Sequence, residues 1–313
     1  MSLAGHFWTI VPHLRAGRRG PGGAAGRPWA TEVSDARIGR VRLTGLLAEP
    51  PGARALLVLV HGLGGSAASA YVTRAARSAQ SAGLATLCLS LRGADGSGED
   101  IYNAALTADL EAAVTSPEAA RYAAALGLGF SLGGHLVLRY AAGEPDPRLR
   151  AVAAVCAPLD LAACQAAIDR PSRRLYRSYL LARLRRAALA AELRGRLPAT
   201  MRELARVRTI REWDRRVVVP RFAFADPDDY YRSASVGPHL GALAVPALLV
   251  ASVHDPMVPA ATLRPWLERA ARLEVRWAAR GGHLGFPAGL DIGEPGGRGI
   301  DGQVVAWLAR QLP

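Results

Sequence analysis

The sequence predicts a doubly wound α/β protein, in which a mostly parallel sheet is covered by helices on both faces and interrupted by one helical cap insertion. Three observations carry this expectation. Six short apolar runs alternate with helix-length segments of apolar periodicity. The runs are almost continuously apolar rather than alternating, as strands covered on both faces must be. The alternation breaks only once, between about Ala162 and Gly241, where the chain turns Arg-rich and helical in pattern. The 313 residues are therefore read as one domain over 1–313, with 162–241 as a cap inserted within it.

Taken in order, the first segment, MSLAGHFWTIVPHLRAGRRG, lacks an early basic region, and Gly5, His6, Pro12 and His13 interrupt what would be the apolar stretch of a signal peptide. It is read as mature protein. The following GRRGPGGAAGRP reads as a surface loop. TEVSDARIGRVRLTGLLAEP alternates weakly and suggests an antiparallel edge hairpin. The apolar strand runs are Ala53 to Gly62, Leu84 to Gly93, Ala123 to Ser131, Arg150 to Pro158, Pro246 to Asp255 and Arg272 to His283. Helices are expected over Ala67 to Ala82, Asn103 to Thr115, Leu132 to Ala142, Ala260 to Ala271 and Gly302 to Gln311. In the insertion, SRRLYRSYLLARLRRAALAAELRG reads as an amphipathic cap helix with one solvated face, a pattern also compatible with weak association at a membrane surface.

The net charge is +13, and all 39 basic residues are arginine. Exclusion of lysine beside abundant Ala, Gly and Pro points to coding bias and a solvated Arg-rich surface rather than to a specific nucleic-acid site. No run reaches the ~18 to 20 apolar residues of a membrane span. Cys88, Cys156 and Cys164 follow no metal-ligand spacing; Cys88 and Cys156, inside apolar runs, suit buried free thiols, and a reducing, cytoplasmic setting is expected.

Chemistry enters at GFSLG, Gly129 to Gly133, a G-x-S-x-G between an apolar strand and a helix. There the serine sits on a strained turn, and side chains at either glycine would strike the neighbouring strand and helix. A serine hydroxyl is a weak nucleophile, so Ser131 requires a base, an acid to orient it, and donors for the oxyanion. His283 and Asp255 follow strand runs, in the order such a turn demands. His6, His13, His135 and His239 lack a strand-end position. His254 stays an alternative base, though neighbouring side chains diverge, and Asp160 a reserve acid. The backbone N–H groups of Leu132 and, in VLVHGLGGS, of Leu63 are the candidate oxyanion donors.

With those residues in place the chain resembles the α/β-hydrolase superfamily, and within it the YheT-like AB-hydrolase 4 branch. GHFWTIVPHL, HGLGGSAASAYV, SLRGADGSG, GFSLGGHLVLRY, PLDL with RLYRSYLLARL, DPDDYYRSAS, HDPMVP and GGHLGF carry the resemblance over nearly the whole chain. It implies the α/β-hydrolase fold and a serine hydrolase of carboxylic esters. Ser131, Asp255 and His283 would be catalytic, with no metal or organic cofactor. Relatives tend to short-chain esterase and acylglycerol or phospholipid lipase activity. Where many of them carry Tyr-His, this chain has Tyr102-Asn103. The expected substrate is a small-molecule ester whose acyl group lies in an apolar channel near Leu175 to Leu184 and Phe222 to Tyr231, with Tyr230-Tyr231 read as cap packing. Acyl transfer by the same residues, and non-catalytic binding, are the competing readings.

Overall fold

A computed structural model describes residues 3–18, 26–268, 270–295 and 299–313. Most of the Gly/Pro/Arg stretch expected as a surface loop, residues 19–25, and the side chain of His13 lie outside the described residues. Eight strands form one sheet. β1 (Arg27–Asp35) and β2 (Gly39–Ala48) make the expected antiparallel hairpin, whose second strand runs antiparallel to the body of the sheet. β3 (Ala55–Val60), β4 (Ala85–Ser90), β5 (Ala124–Phe130), β6 (Leu149–Val155), β7 (Ala247–Ser252) and β8 (Leu273–Ala278) are parallel, in the order β1-β2-β4-β3-β5-β6-β7-β8.

The continuous apolar runs are explained by two cores. Leu56, Val58 and Val60 of β3 pack into one, and Leu57 and Leu59 into the other. Every residue of β3, β4, β5 and β7 is buried. A side chain such as Leu57 contributes about 1.5–3 kcal/mol by leaving water.

Helices follow in chain order. α1 (Leu3–Arg18) precedes the sheet, α2 (Ala70–Ser81) follows β3, α3 (Ala108–Val114) follows β4 and α4 (Leu132–Ala141) follows β5. Between β6 and β7 come α5 (Leu161–Ile168), α6 (Arg174–Leu193), α7 (Met201–Leu204), α8 (Ile210–Trp213), α9 (Val219–Phe222) and α10 (Pro227–Ala234), with a π-helical turn over Asp214–Val218. α11 (Ala260–Leu267) and α12 (Ile300–Ala309) complete the chain.

Two expectations need correction. The helix expected from Asn103 begins only at Ala108, because Asn103 Oδ1 accepts from Ala105 N–H and holds a turn there. The helix expected to Ala271 ends at Leu267, just after Pro265. The face of α6 expected to be solvated is exposed, and it carries the apolar side chains Leu175, Tyr179, Leu189 and Leu193. α1 was not foreseen at all. Among the described residues no helix is long and apolar enough to cross a membrane.

Candidate active site

Ser131 stands between β5 and α4 with φ 52° and ψ −119°, the strained turn expected of a nucleophile elbow. The flanking glycines are there for contact reasons. A Cβ on Gly129 would lie 2.1 Å from Gly133 O, and one on Gly133 would lie 2.3 Å from Val60 O. Ser131 N–H donates to Val155 O at 2.8 Å, which ties the turn to the end of β6.

His283 follows β8 and Asp255 follows β7. His283 Nε2 lies 3.0 Å from Ser131 Oγ, and His283 Nδ1 lies 2.9 Å from Asp255 Oδ2. The other carboxylate oxygen, Oδ1, accepts from Met257 N–H at 2.8 Å and Val258 N–H at 2.9 Å. Both Asp255 oxygens are thus occupied, which fixes the carboxylate plane. An acceptor on Nδ1 makes the Nδ1–H tautomer the one present, leaving Nε2 to accept from the serine hydroxyl.

Of the alternatives, Asp160, His6 and His135 are engaged elsewhere. Asp160 caps α5 by accepting from Ala163 N–H at 2.9 Å. His254 and His239 are exposed. His6 bonds Tyr176 and Arg173, and His135 is buried between Pro158 O and Ala234 O.

In the turn after β3, Gly62 packs so closely that an added Cβ would lie 3.0 Å from Ser131 Cβ. Gly62 N–H donates to Tyr71 Oη at 3.0 Å and Gly64 N–H to Tyr102 Oη at 2.6 Å. The N–H groups on either side of Leu63 are therefore taken. Arg183 of α6 donates from Nε to Gly64 O at 2.8 Å and clamps the same turn from above. Leu132 opens α4, where N–H groups have no intrahelical acceptor. His61 props the turn from below: Nδ1–H donates to Gly62 O and Nε2 accepts from Leu91 N–H. Burial pushes its pKa down to about 4, which keeps it neutral.

Sequence reasoning gave no role to Thr9, Tyr71, Tyr102 or Arg183. Thr9 Oγ1 accepts from His283 N–H at 2.8 Å while its hydroxyl donates to Gly5 O, so α1 holds the loop bearing the histidine. The G-H-x-x-T segment was visible as a motif, but its partner lies 274 residues away.

A cavity of about 1700 Å³ reaches from Ser131 and His283 under the helices between β6 and β7. Of the expected channel, Leu175, Leu180 and Leu184 line it, and so do Tyr230 and Tyr231, but Phe222 does not. Tyr230 Oη accepts from Ala104 N–H, and Tyr231 Oη donates to Asp214 Oδ2 at 2.6 Å. These bonds fit the packing role expected of the pair, although both rings also face the cavity. Asp214, on the π-helical turn, is pushed up to about 7 by burial.

Cys156, Asp255 and His283 also offer ligand atoms within 4.8 Å of one another. A metal there would need a thiolate and would compete with the bond between Asp255 and His283. Burial holds the Cys156 thiol well above its ordinary pKa, so the donor set suits a hydrogen-bonded chain rather than a metal.

Comparison with known proteins finds the same framework. The alpha/beta hydrolase family model matches residues 57–290. The chain is 31% identical over 263 residues to the putative esterase YheT of Escherichia coli (strain K12), covering 82% of this chain and 77% of that one. It is 26% identical over 249 residues to the Homo sapiens phospholipase ABHD3, covering 76% of this chain and spanning 60% of that longer protein. Among solved structures, a 2,6-dihydroxy-pseudo-oxynicotine hydrolase is similar in fold, with a TM-score of 0.55 and 19% identity over 83% of this chain and 63% of that one. The Pyrococcus furiosus esterase Pf2001 is similar at a TM-score of 0.51 and 14% identity, over 83% of this chain and 85% of the other.

Proposed function

The chain belongs to the alpha/beta hydrolase family, and from that premise we propose that it is a serine hydrolase that cleaves carboxylic esters through an acyl-enzyme on Ser131. The observation that carries the proposal is the hydrogen-bonded chain from Ser131 Oγ through His283 to Asp255, opening on a largely apolar cavity. Relatives named as an esterase and a phospholipase support an ester with an acyl chain as substrate.

In this reading Ser131 Oγ attacks the ester carbonyl as its proton passes to His283 Nε2. Asp255 holds Nδ1–H and stabilises the imidazolium. The negative charge that develops on the carbonyl oxygen is met by the N–H groups of Leu63 and Leu132. His283 then gives its proton to the departing alkoxide, leaving an acyl group on Ser131. Water, deprotonated by the same nitrogen, releases the acid and restores the serine. The helices over 162–241 act as a cap that sets access, and Arg183 links that cap to the oxyanion turn.

A fluorophosphonate probe tests the proposal. The folded parent chain should label and Ser131→Ala should not, with p-nitrophenyl ester turnover down by on the order of 10⁴-fold or more. Equal labelling of both chains, or none of the folded parent, removes the reading.

A further inference from the structure

The outward face of α6 carries six exposed residues at intervals of three and four, Leu175, Tyr179, Ala182, Arg186, Leu189 and Leu193, which places them on one stripe. Four of the seven large apolar side chains exposed among the described residues lie in it, with Leu175 at 70% and Leu193 at 81% exposure. The opposite face, with Tyr176, Leu180, Leu184 and Ala188, is already buried. The core therefore makes no use of the outer leucines.

The stripe begins where the cavity opens. Leu175, Tyr179 and Arg186 are both exposed and cavity-lining, as is Ile10 of α1, while Arg74 and Arg77 of α2 line it as exposed cations. α2 and α6 carry two and five arginines and a single carboxylate, Glu192. Glu192 is turned to Met201 N–H, and Arg74 is paired with Asp301 of α12.

We propose that this face of α6 seats on an anionic lipid surface with the cavity opening turned toward the bilayer. A second copy of the chain on the same stripe would set these arginines against one another. Phosphate-bearing lipid supplies the opposite charge, each nearby arginine adding about fivefold in binding, and its acyl boundary accepts the leucines. That an acyl chain then travels along the stripe to Ser131 rests on the ester-hydrolase reading; the docking itself does not.

The test is flotation of the full chain with phosphatidylcholine vesicles, with and without phosphatidylglycerol. Binding to the anionic vesicles should exceed binding to neutral ones by about tenfold or more and fall with added salt. Leu189→Asp with Leu193→Asp should lower it by about tenfold or more while turnover of a soluble p-nitrophenyl ester stays unchanged, since neither residue lines the cavity. Leu193→Asp alone, at the last residue of the helix, should move binding the same way even where the double variant folds poorly. Equal partition onto neutral and anionic vesicles, undiminished flotation of the variants, or a parent dimer that the double variant splits without any flotation overturns the proposal. Ser131→Ala should float like the parent. Lost flotation with intact fluorophosphonate labelling thus sinks the docking alone, and lost labelling with intact flotation sinks the hydrolase reading alone.

Discussion

Asp255 and Asp160 each stand a few residues past the end of a strand, and their hydrogen bonds distinguish them. Asp255 reaches His283 at 2.9 Å, whereas Asp160 is spent on the first turn of α5. Asp255→Asn should leave the fold intact but present the histidine with the wrong partner, lowering kcat by about 10⁴-fold. Asp160→Asn keeps a good helix cap and should cost under about 1 kcal/mol of stability with little change in kcat. Steady-state turnover of a p-nitrophenyl ester by the two variants decides between them, and the reverse ranking would move the acid role to Asp160. Ser131, Asp255 and His283, the proposed serine, acid and base, could be picked out as candidates because each follows an apolar run in a fixed order. Thr9, Tyr71 and Tyr102 were not, because a hydroxyl that accepts from a backbone N–H leaves no spacing signal in the sequence.

At the scale of elements, period and composition located the sheet and the helices on its two faces, since burial on both sides forces continuous apolar runs. They did not locate the π-helical turn over Asp214–Val218, a local widening of the helix with no periodicity of its own. That turn has a measurable consequence. Asp214 has a folded pKa of about 7 against an ordinary 3.8, so the folded chain holds a proton that the unfolded chain releases between those values. Its contribution is most favourable below about pH 4 and is lost as pH rises through 7. His61, lowered to about 4, runs the other way: its contribution is present above about 6.5 and lost as pH falls toward 4. Asp214→Asn removes only the first effect while keeping an acceptor for Tyr231. Urea denaturation should show it stabilised by about 1 kcal/mol near pH 4.5 and by about 2–4 kcal/mol near pH 8. A gain equal at both ends would mean that Asp214 does not titrate in this range.

Across the whole molecule, the net charge of +13 suggests a chain strained by its own repulsion, so that deleting any arginine would help. The distribution of charge argues otherwise. Arg92, just past β4, bonds Asp109, Asp100 and Asp35, and Arg221 of α9 bonds Asp100 and Asp35. This buried cluster joins the β1–β2 hairpin, the loop after β4 and the helices between β6 and β7, three regions far apart in sequence. The cluster also fixes Asp35 at a pKa of about 2: despite its partial burial, Arg37 N–H and the two guanidiniums hold the carboxylate charged. Arg221→Met and Arg232→Met lower the net charge by the same single unit but from opposite environments. Arg232 is 74% exposed and paired with Asp229 at the surface. If bulk repulsion governed stability, the two variants would gain equally. If the cluster governs it, Arg221→Met leaves the buried Asp100 and the partly buried Asp35 each short of a partner and loses about 3–5 kcal/mol, while Arg232→Met stays within about 0.5 kcal/mol of the parent. Urea denaturation of the two variants beside the parent distinguishes these cases, and equal midpoints for both would show that the cluster is not what holds the helical segment to the sheet.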